Sequence, residues 1–241
     1  PSVRRAALKV TAGPAPEVEG DGKVRLNRYL ASTGLCSRRA ADEWIETGRI
    51  AVDGKPVREL GLRVDPVAQE IAVDGQPVEP EKPVYVAFNK PKDVVCTNAK
   101  YEKRPRVLDY VGAIRGRVYT VGRLDADSEG LILLTNDGEF AQAIAHPRHG
   151  VPKIYAVLVR GRIEADSVKK AKGGVWLAEG RTGGAQIRVD RRSNDRSYLK
   201  VTLHEGKNRE IRTAMEAIGL TVNRLIRVSY GPFQLGPLAA G

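Results

Sequence analysis

Sulfur and imidazole are scarce in this chain. Its 241 residues hold two cysteines, one methionine and three histidines. Cys36 and Cys96 stand far apart, with no CxxC pair and no histidine partner nearby, which excludes a zinc site and argues against a disulfide framework. His146, His149 and His204 add no metal-ligand pattern. Long apolar runs are missing too: no uninterrupted stretch suits a membrane span, and no basic amphipathic helix suits a membrane surface. No glycine loop of the phosphate-cradling kind occurs. The expectation is a cytoplasmic, monomeric protein with reduced thiols, no metal, no cofactor and no membrane partner. Residues 1–22, rich in Ala, Pro and Gly, lack the apolar centre of a signal peptide and read as a flexible tail.

Positive charge is what the chain has in excess. Lys and Arg number 40 against 29 Asp and Glu, a formal charge of +11. Hydrophobic residues make up 41%, enough for a packed core. The charge says nothing about fold, but it favours a polyanionic partner, and nucleic acid fits better than a membrane.

From Lys23 the pattern tightens. Leu26 and Leu30 share one face of a short helix, Gly34 breaks it, and Ser37 is placed to cap a second helix carrying Ala40, Ala41, Trp44 and Ile45 on one face. Asp53-Gly54 in IAVDGKPV predicts a hairpin, and IAVDGQPV from Ile71 to Val78 nearly repeats it. Between Lys23 and Arg63 nine basic residues face five acidic ones. Arg38 and Arg39 fall in the first turn of a helix, where the dipole disfavours cations, so phosphate contact is the better reason for them. Arg25, Arg28, Arg49 and Lys55 join them as candidate RNA contacts. The stretch RLNRYLASTGLCSRRAADEWIETGRIAVDGKPV resembles the small RNA-binding module named after ribosomal protein S-four.

Glu79–Pro83 reads as a linker, dividing a module at 23–83 from a larger domain at 84–241. Beyond it, seven extended stretches are predicted: Tyr85–Asn89, Val118–Val121, Leu131–Thr135, Ile154–Val159, Ala185–Val189, Ser197–Leu203 and Leu225–Val228. Helices are predicted at Glu139–Ala145 and Arg209–Ile218. Strands and helices do not alternate regularly, so the fold class is α+β, a mixed and mainly antiparallel sheet with flanking helices.

The most informative segment is GRLDADSEGLILLTNDG, Gly122–Gly138. Asp125, Asp127, Glu129 and Gly130 begin like a calcium loop, but the twelfth position is Asn136 and no helix precedes. A magnesium site lacks a supporting glycine loop. A polar turn between buried strands remains the plain alternative. Against it stand Arg123 and the abrupt return to apolar sequence at Leu131, which set a carboxylate at the edge of a rigid sheet.

VYTVGRLDADSEGLILLTNDGEFAQAIAHP resembles the signature of bacterial rRNA pseudouridine synthases of the RsuA/RluB type, and PKIYAV, HEGKNREIRTAMEAIG and NRLIRVSYGPFQL extend the likeness. The resemblance implies a pseudouridine synthase fold and an enzyme that cuts the bond between ribose and the uracil nitrogen, turns the base and rejoins it through carbon. It implies Asp125 as the catalytic carboxylate, Arg212 as its ion-pair partner, and Tyr155 as the ring that stacks on the uracil. Leu225 matches an apolar wall of the pocket, with Leu124 and Arg123 beside it. Asp125 is expected ionised in a closed, partly dry pocket. Attack by the carboxylate and removal of a sugar proton both fit. Arg209 reads as a phosphate contact or a solvated side chain. Lys90, Lys153, Lys207 and Arg227 are further candidate backbone contacts. The expected partner is ribosomal RNA or a ribosome-assembly intermediate, with large-subunit RNA near the peptidyl-transferase centre favoured over small-subunit RNA. The rival readings are a non-catalytic RNA-binding assembly factor and an RNA glycosidase.

Overall fold

A computed structural model describes residues 22–241, except 100, 113, 115, 174, 175, 178, 179, 182, 183 and 208. The expected tail lies, apart from Gly22, outside the described residues. Near the N-terminus, β1 (Val24–Arg25) leads into α1 (Leu26–Ser32), which buries Leu26, Tyr29 and Leu30. In α2 (Arg38–Glu46) the Ser37 hydroxyl accepts from the Ala40 backbone N–H at 3.1 Å, and Ala41 and Ile45 turn inward. Arg38 and Arg39 occupy the first turn of α2 and are exposed, as the sequence predicts.

Two hairpins follow. β2 (Ile50–Val52) and β3 (Lys55–Val57) turn through Asp53 and Gly54, whose φ angles of 50° and 74° are both positive. That geometry matches the right-handed twist of the flanking strands. After β4 (Arg63–Val64), which pairs with β1, the near-repeat forms β5 (Ile71–Val73) and β6 (Gln76–Pro77). The two copies join in one sheet of order β3-β2-β5-β6, with Ile50 opposite Val73. The helices cover it, giving a core that runs from Leu26 to Val73.

The remaining elements are β7 (Tyr85–Lys90), α3 (Val107–Tyr110), β8 (Tyr119–Val121), β9 (Glu129–Thr135), α4 (Gly138–Ala145), a 3-10 turn at Pro147–His149, β10 (Lys153–Arg160) and α5 (Ala165–Lys172). Then come β11 (Trp176–Leu177), β12 (Gly180–Arg181), β13 (Gln186–Arg192), β14 (Arg196–Leu203), α6 (Glu210–Glu216), β15 (Thr221–Tyr230) and β16 (Phe233–Gln234). An eight-stranded sheet runs β13-β14-β10-β15-β9-β7, with β8 beside β9 and β16 beside β15. β9 and β15 pair in parallel; the other strand ladders described are antiparallel. The mixed, mainly antiparallel α+β architecture expected from the sequence is therefore what the chain adopts.

All seven predicted strands are present. β15 extends well beyond its predicted core because register shifts against β10 interrupt its alternation. α5 was not foreseen: among its residues Val168 packs on the core, too little for an apolar stripe. α6 starts one residue later than predicted. Arg209 is its N-cap, in the left-handed region at φ 50°. Ile211, Ala214 and Met215 of α6 are buried against the sheet with Val157, Val201 and Leu225.

Candidate active site

Alternation along the central strands sets the floor of the site. Lys153, Tyr155, Val157 and Val159 of β10 point inward, as do Leu199, Val201 and Leu203 of β14. On β15 the inward residues are Leu225 and Arg227, with Arg227 opposite Tyr155. Ile226 takes the other face and packs toward Gly130, so Leu225 is the pocket residue of the pair. Of these side chains, Lys153, Tyr155, Leu203, Leu225 and Arg227 floor a cavity of about 570 Å³, within the range of small-ligand sites. The Asp125 loop forms one wall, and residues 205–207 with 209–211 another.

The loop sits where β9 changes neighbour. Residues 133–135 of β9 pair with β8, while Glu129 and Gly130 pair with Ile226 and Arg227 of β15. Gly130 has φ 100°, and a Cβ there would lie 2.4 Å from the Arg227 carbonyl oxygen, so only glycine lets the two strands meet. Residues 122–128 span the gap between β8 and β9. A turn closes with Ser128 N–H donating to the Asp125 carbonyl at 3.1 Å, and Leu124 anchors the loop in the core.

Lys90 fastens this loop from below. It is 0% exposed, and its ammonium donates to the carbonyls of Pro91 (2.9 Å), Val94 (2.6 Å) and Ala126 (3.3 Å). Burial pulls its pKa down, while Cys96, Asp127, Asp93 and Asp125 oppose that shift. The expectation that Lys90 contacts RNA is corrected: a side chain with no exposed surface cannot reach a phosphate. The Asp93 N–H also donates to the Ala126 carbonyl, at 2.7 Å.

A second correction concerns Arg212, which does not pair with Asp125. Its guanidinium donates to the Asp127 carbonyl (2.9 Å) and the Val222 carbonyl (3.2 Å), and Nε lies 3.2 Å from Asp127 Oδ2 without hydrogen-bond alignment. Arg212 is 8% exposed; its two terminal nitrogens donate to backbone carbonyls, while Nε is buried with no hydrogen-bond partner. The cation beside Asp125 is Arg209, at 3.9 Å, which also reaches Asp127 at 3.3 Å. The physical reason is the late start of α6: as N-cap, Arg209 swings over the loop while Arg212 points beneath it. Asp127, given no chemical role by the sequence, is thus the joint between the loop and both arginines.

Asp125 itself keeps 38% of its side chain exposed, so the pocket opens to solvent at the carboxylate rather than being closed and dry as expected. Arg123 is exposed at the mouth and Leu124 is buried beside it. Tyr155 is buried on the floor. Lys153 and Arg227 are buried and line the cavity, so neither is a surface backbone contact. Both lie over the Tyr230 ring, at 5.3 and 4.6 Å. Burial pushes the Tyr230 hydroxyl up to about 12; it stays neutral. Burial, then Arg227, lowers Lys153, and burial raises Glu210 in the same wall. Lys207 lies 3.4 Å from Glu205 at the rim. In the N-terminal module Arg25, Arg38, Arg39 and Lys55 are exposed. Arg49 is held by Asp74 at 2.9 Å and stacks on Trp44, and Arg28 pairs with Glu139.

Sequence reasoning missed Asp127, Tyr230 and Glu210, and misassigned Lys90. Asp127 carried a signal, since it shares a four-residue turn with Asp125. Tyr230 lies within the NRLIRVSYGPFQL segment, but its spacing does not mark it as a pocket residue.

Residues 84–217 match the family model described as RNA pseudouridylate synthase, and residues 24–69 match the S4 domain. A ribosomal large subunit pseudouridine synthase B of Bacillus subtilis is 39% identical over 220 residues, covering 90% of this chain and 89% of that protein. An uncharacterized RNA pseudouridine synthase of Mycobacterium leprae is 41% identical over 226 residues, covering 92% and 88%. A crystal structure of a pseudouridylate synthase superposes with a TM-score of 0.62 at 24% identity, over 90% of this chain and 93% of that one, a likeness of fold. An S4 domain and the mixed sheet with its carboxylate loop therefore make up one chain, which belongs to the RNA pseudouridylate synthase family, a family of isomerases.

Proposed function

We propose that the enzyme converts a uridine of large-subunit ribosomal RNA, near the peptidyl-transferase centre, to pseudouridine, with Asp125 as the catalytic carboxylate. It works in the cytoplasm, as a monomer, on rRNA or an assembly intermediate. The observation that carries this reading is the placement of Asp125 on a braced loop at the mouth of a cavity floored by Tyr155 and Leu225. The relative named as a large-subunit synthase, similar over 90% of this chain, supports the choice of RNA.

In this reading the module at 23–83 grips the RNA through Arg25, Arg38, Arg39 and Lys55. The target nucleotide is extruded into the cavity at an unstacking cost of a few kcal/mol, and Arg123 at the mouth holds the vacated space. The bond from the ribose anomeric carbon to the uracil nitrogen breaks. Asp125 either bonds to that carbon, the bond breaking again when the uracil carbon displaces the carboxylate, or takes a sugar proton and later returns it. In between, the base turns against Tyr155 and Leu225, and the ribose carbon ends bonded to the uracil carbon. The proton displaced from that carbon passes to the nitrogen freed earlier, so product and substrate have the same composition. Tyr155 is the candidate group for moving it. Arg212 and Lys90 act through the loop, by holding Asp127 and Ala126.

Mapping pseudouridines in rRNA from a deletion strain, rescued with this protein or its Asp125→Asn variant, tests the proposal. One large-subunit site should vanish, return with the parent and stay absent with the variant. A lost site in small-subunit RNA would overturn the choice of target. Rescue by Asp125→Asn would overturn the catalyst.

A further inference from the structure

The face of the large sheet turned away from the cavity is cationic. On β14, Arg196, Tyr198 and Lys200 alternate with the buried Ser197, Leu199 and Val201, so they form a row on the outer face, roughly 7 Å apart. The neighbouring strands add to it. Arg160 of β10 stands opposite Arg196, and Arg188 of β13 stands opposite Lys200. A bulge between Val189 and Arg191 brings Arg191 onto the same face, opposite Tyr198.

Like charges directly opposite one another destabilise a sheet, and here two such pairs flank one strand. Nearby carboxylates compensate only in part. Asp190 lies 2.7 Å from Arg188 and Asp195 lies 3.0 Å from Arg196. On β15, Arg224 is paired with Glu129. Arg160, Arg191 and Lys200 have no ion pair among the described residues. Amid these cations Tyr198 is 38% exposed, beside Leu158. A surface arranged against its own repulsion, with an exposed ring at its centre, suits a partner that supplies both negative charge and flat apolar faces. Single-stranded nucleic acid supplies both in every nucleotide, at a spacing that an alternating row of cations and a ring can follow.

We propose that this outer face is a second RNA-binding surface, which holds a single-stranded stretch of the substrate outside the cavity. Tyr198 stacks on a base, while Arg160, Arg191 and Lys200 contact phosphates. The face lies across the sheet from Tyr155 and Leu225, so it acts on affinity and not on chemistry. It does not depend on which uridine is modified.

The test is a filter-binding titration of the full chain with polyuridylate at several salt concentrations. Each phosphate contact on a single strand contributes a slope of about 0.7 in log K against log salt. The triple variant Arg160→Gln, Arg191→Gln, Lys200→Gln should lower the slope by about 2, with an unchanged or raised melting temperature because repulsion is relieved. Tyr198→Ala should bind about tenfold more weakly and Tyr198→Phe like the parent, as stacking on one base is worth roughly 5- to 150-fold. A parental slope in the triple variant would overturn the proposal, as would a lowered melting temperature, which would assign these residues to the fold. Equal weakening in Tyr198→Phe and Tyr198→Ala would tie the effect to the hydroxyl and overturn the stacking role.

Discussion

The N-terminal module and the catalytic domain use the same residue types in opposite ways. Arg38 and Arg39 stand exposed at the start of α2, unfavourably placed toward the helix dipole and available to a phosphate. Lys90, Arg212 and Arg227 are almost without exposed surface, and each donates to at least one backbone carbonyl. At the start of α2 two cations face solvent. Beneath the Asp125 loop three are spent on holding the loop and the strands around it. Sequence charge alone does not separate these uses, because a lysine after a strand reads the same in either.

The comparison breaks most visibly at Lys90. Lys90→Met keeps the stem but leaves three carbonyls without a charged donor, a loss of about 2–3 kcal/mol. For a chain of this size that lowers the melting temperature by about 6–10 °C, read by calorimetry, with pseudouridine formation falling too. Arg38→Gln melts like the parent. If the two variants melted alike, the contrast between the regions would be wrong.

Next in size is the joint at Asp127. Asp127→Asn and Arg212→Met should each lower kcat by about 10- to 100-fold while rRNA affinity stays within a factor of two. Combined, they should cost less than the product of the two effects, since both loosen the joint at Asp127, although Arg212→Met also removes the bonds to the Asp127 and Val222 carbonyls. Multiplying effects in single-turnover assays would mean that the residues act separately. Smaller still is the loss in Arg38→Gln, Arg39→Gln. Its signature is a salt slope of rRNA binding reduced by about 1.4, at unchanged kcat.

The smallest effect belongs to Glu210, whose carboxyl is raised by burial. A raised folded-state pKa means the folded chain favours the neutral form, so this group's stabilising contribution is complete below its unfolded pKa of about 4.3. It is lost as pH rises through the folded value. Glu210→Gln should therefore gain melting temperature relative to the parent at pH 7.5, with the gap closing by pH 4.5. A gap that is constant across that range would show that ionisation of Glu210 does not matter to the fold.

Much of the fold was legible because its signals are local. Ser37 before an apolar stripe, Asp53-Gly54 and Asp74-Gly75 between short strands, and the alternation of Lys153–Arg160 each specify structure within ten residues. Asp125, Tyr155 and Leu225 were legible through motif resemblance. What escaped depends on contacts between distant segments. Whether Arg209 or Arg212 meets Asp125 is decided by where α6 begins, a single-residue matter that helical spacing does not resolve. The burial of Lys90 follows from the stacking of β7 against β9 and the path of the loop above them. The outer basic face needed the register of three strands and a bulge at Asp190, none of which composition reveals.

The connection between the two regions has a consequence for how RNA reaches the cavity. Residues 79–83 are short and fastened: the Glu81 N–H donates to the Ser32 carbonyl at 2.9 Å, and Asn136 of the catalytic domain bonds to Lys82 and to Val84. Arg117 adds a 2.8 Å bond to the Cys36 carbonyl. In the proposed reading, RNA held by the module is kept in the neighbourhood of Asp125, and entry of its uridine becomes an intramolecular event. Its rate is governed by effective concentration, in the millimolar range for short tethers. Weakening the grip of the module should then be made good simply by adding more RNA, whereas lengthening the tether with glycine and serine should not be.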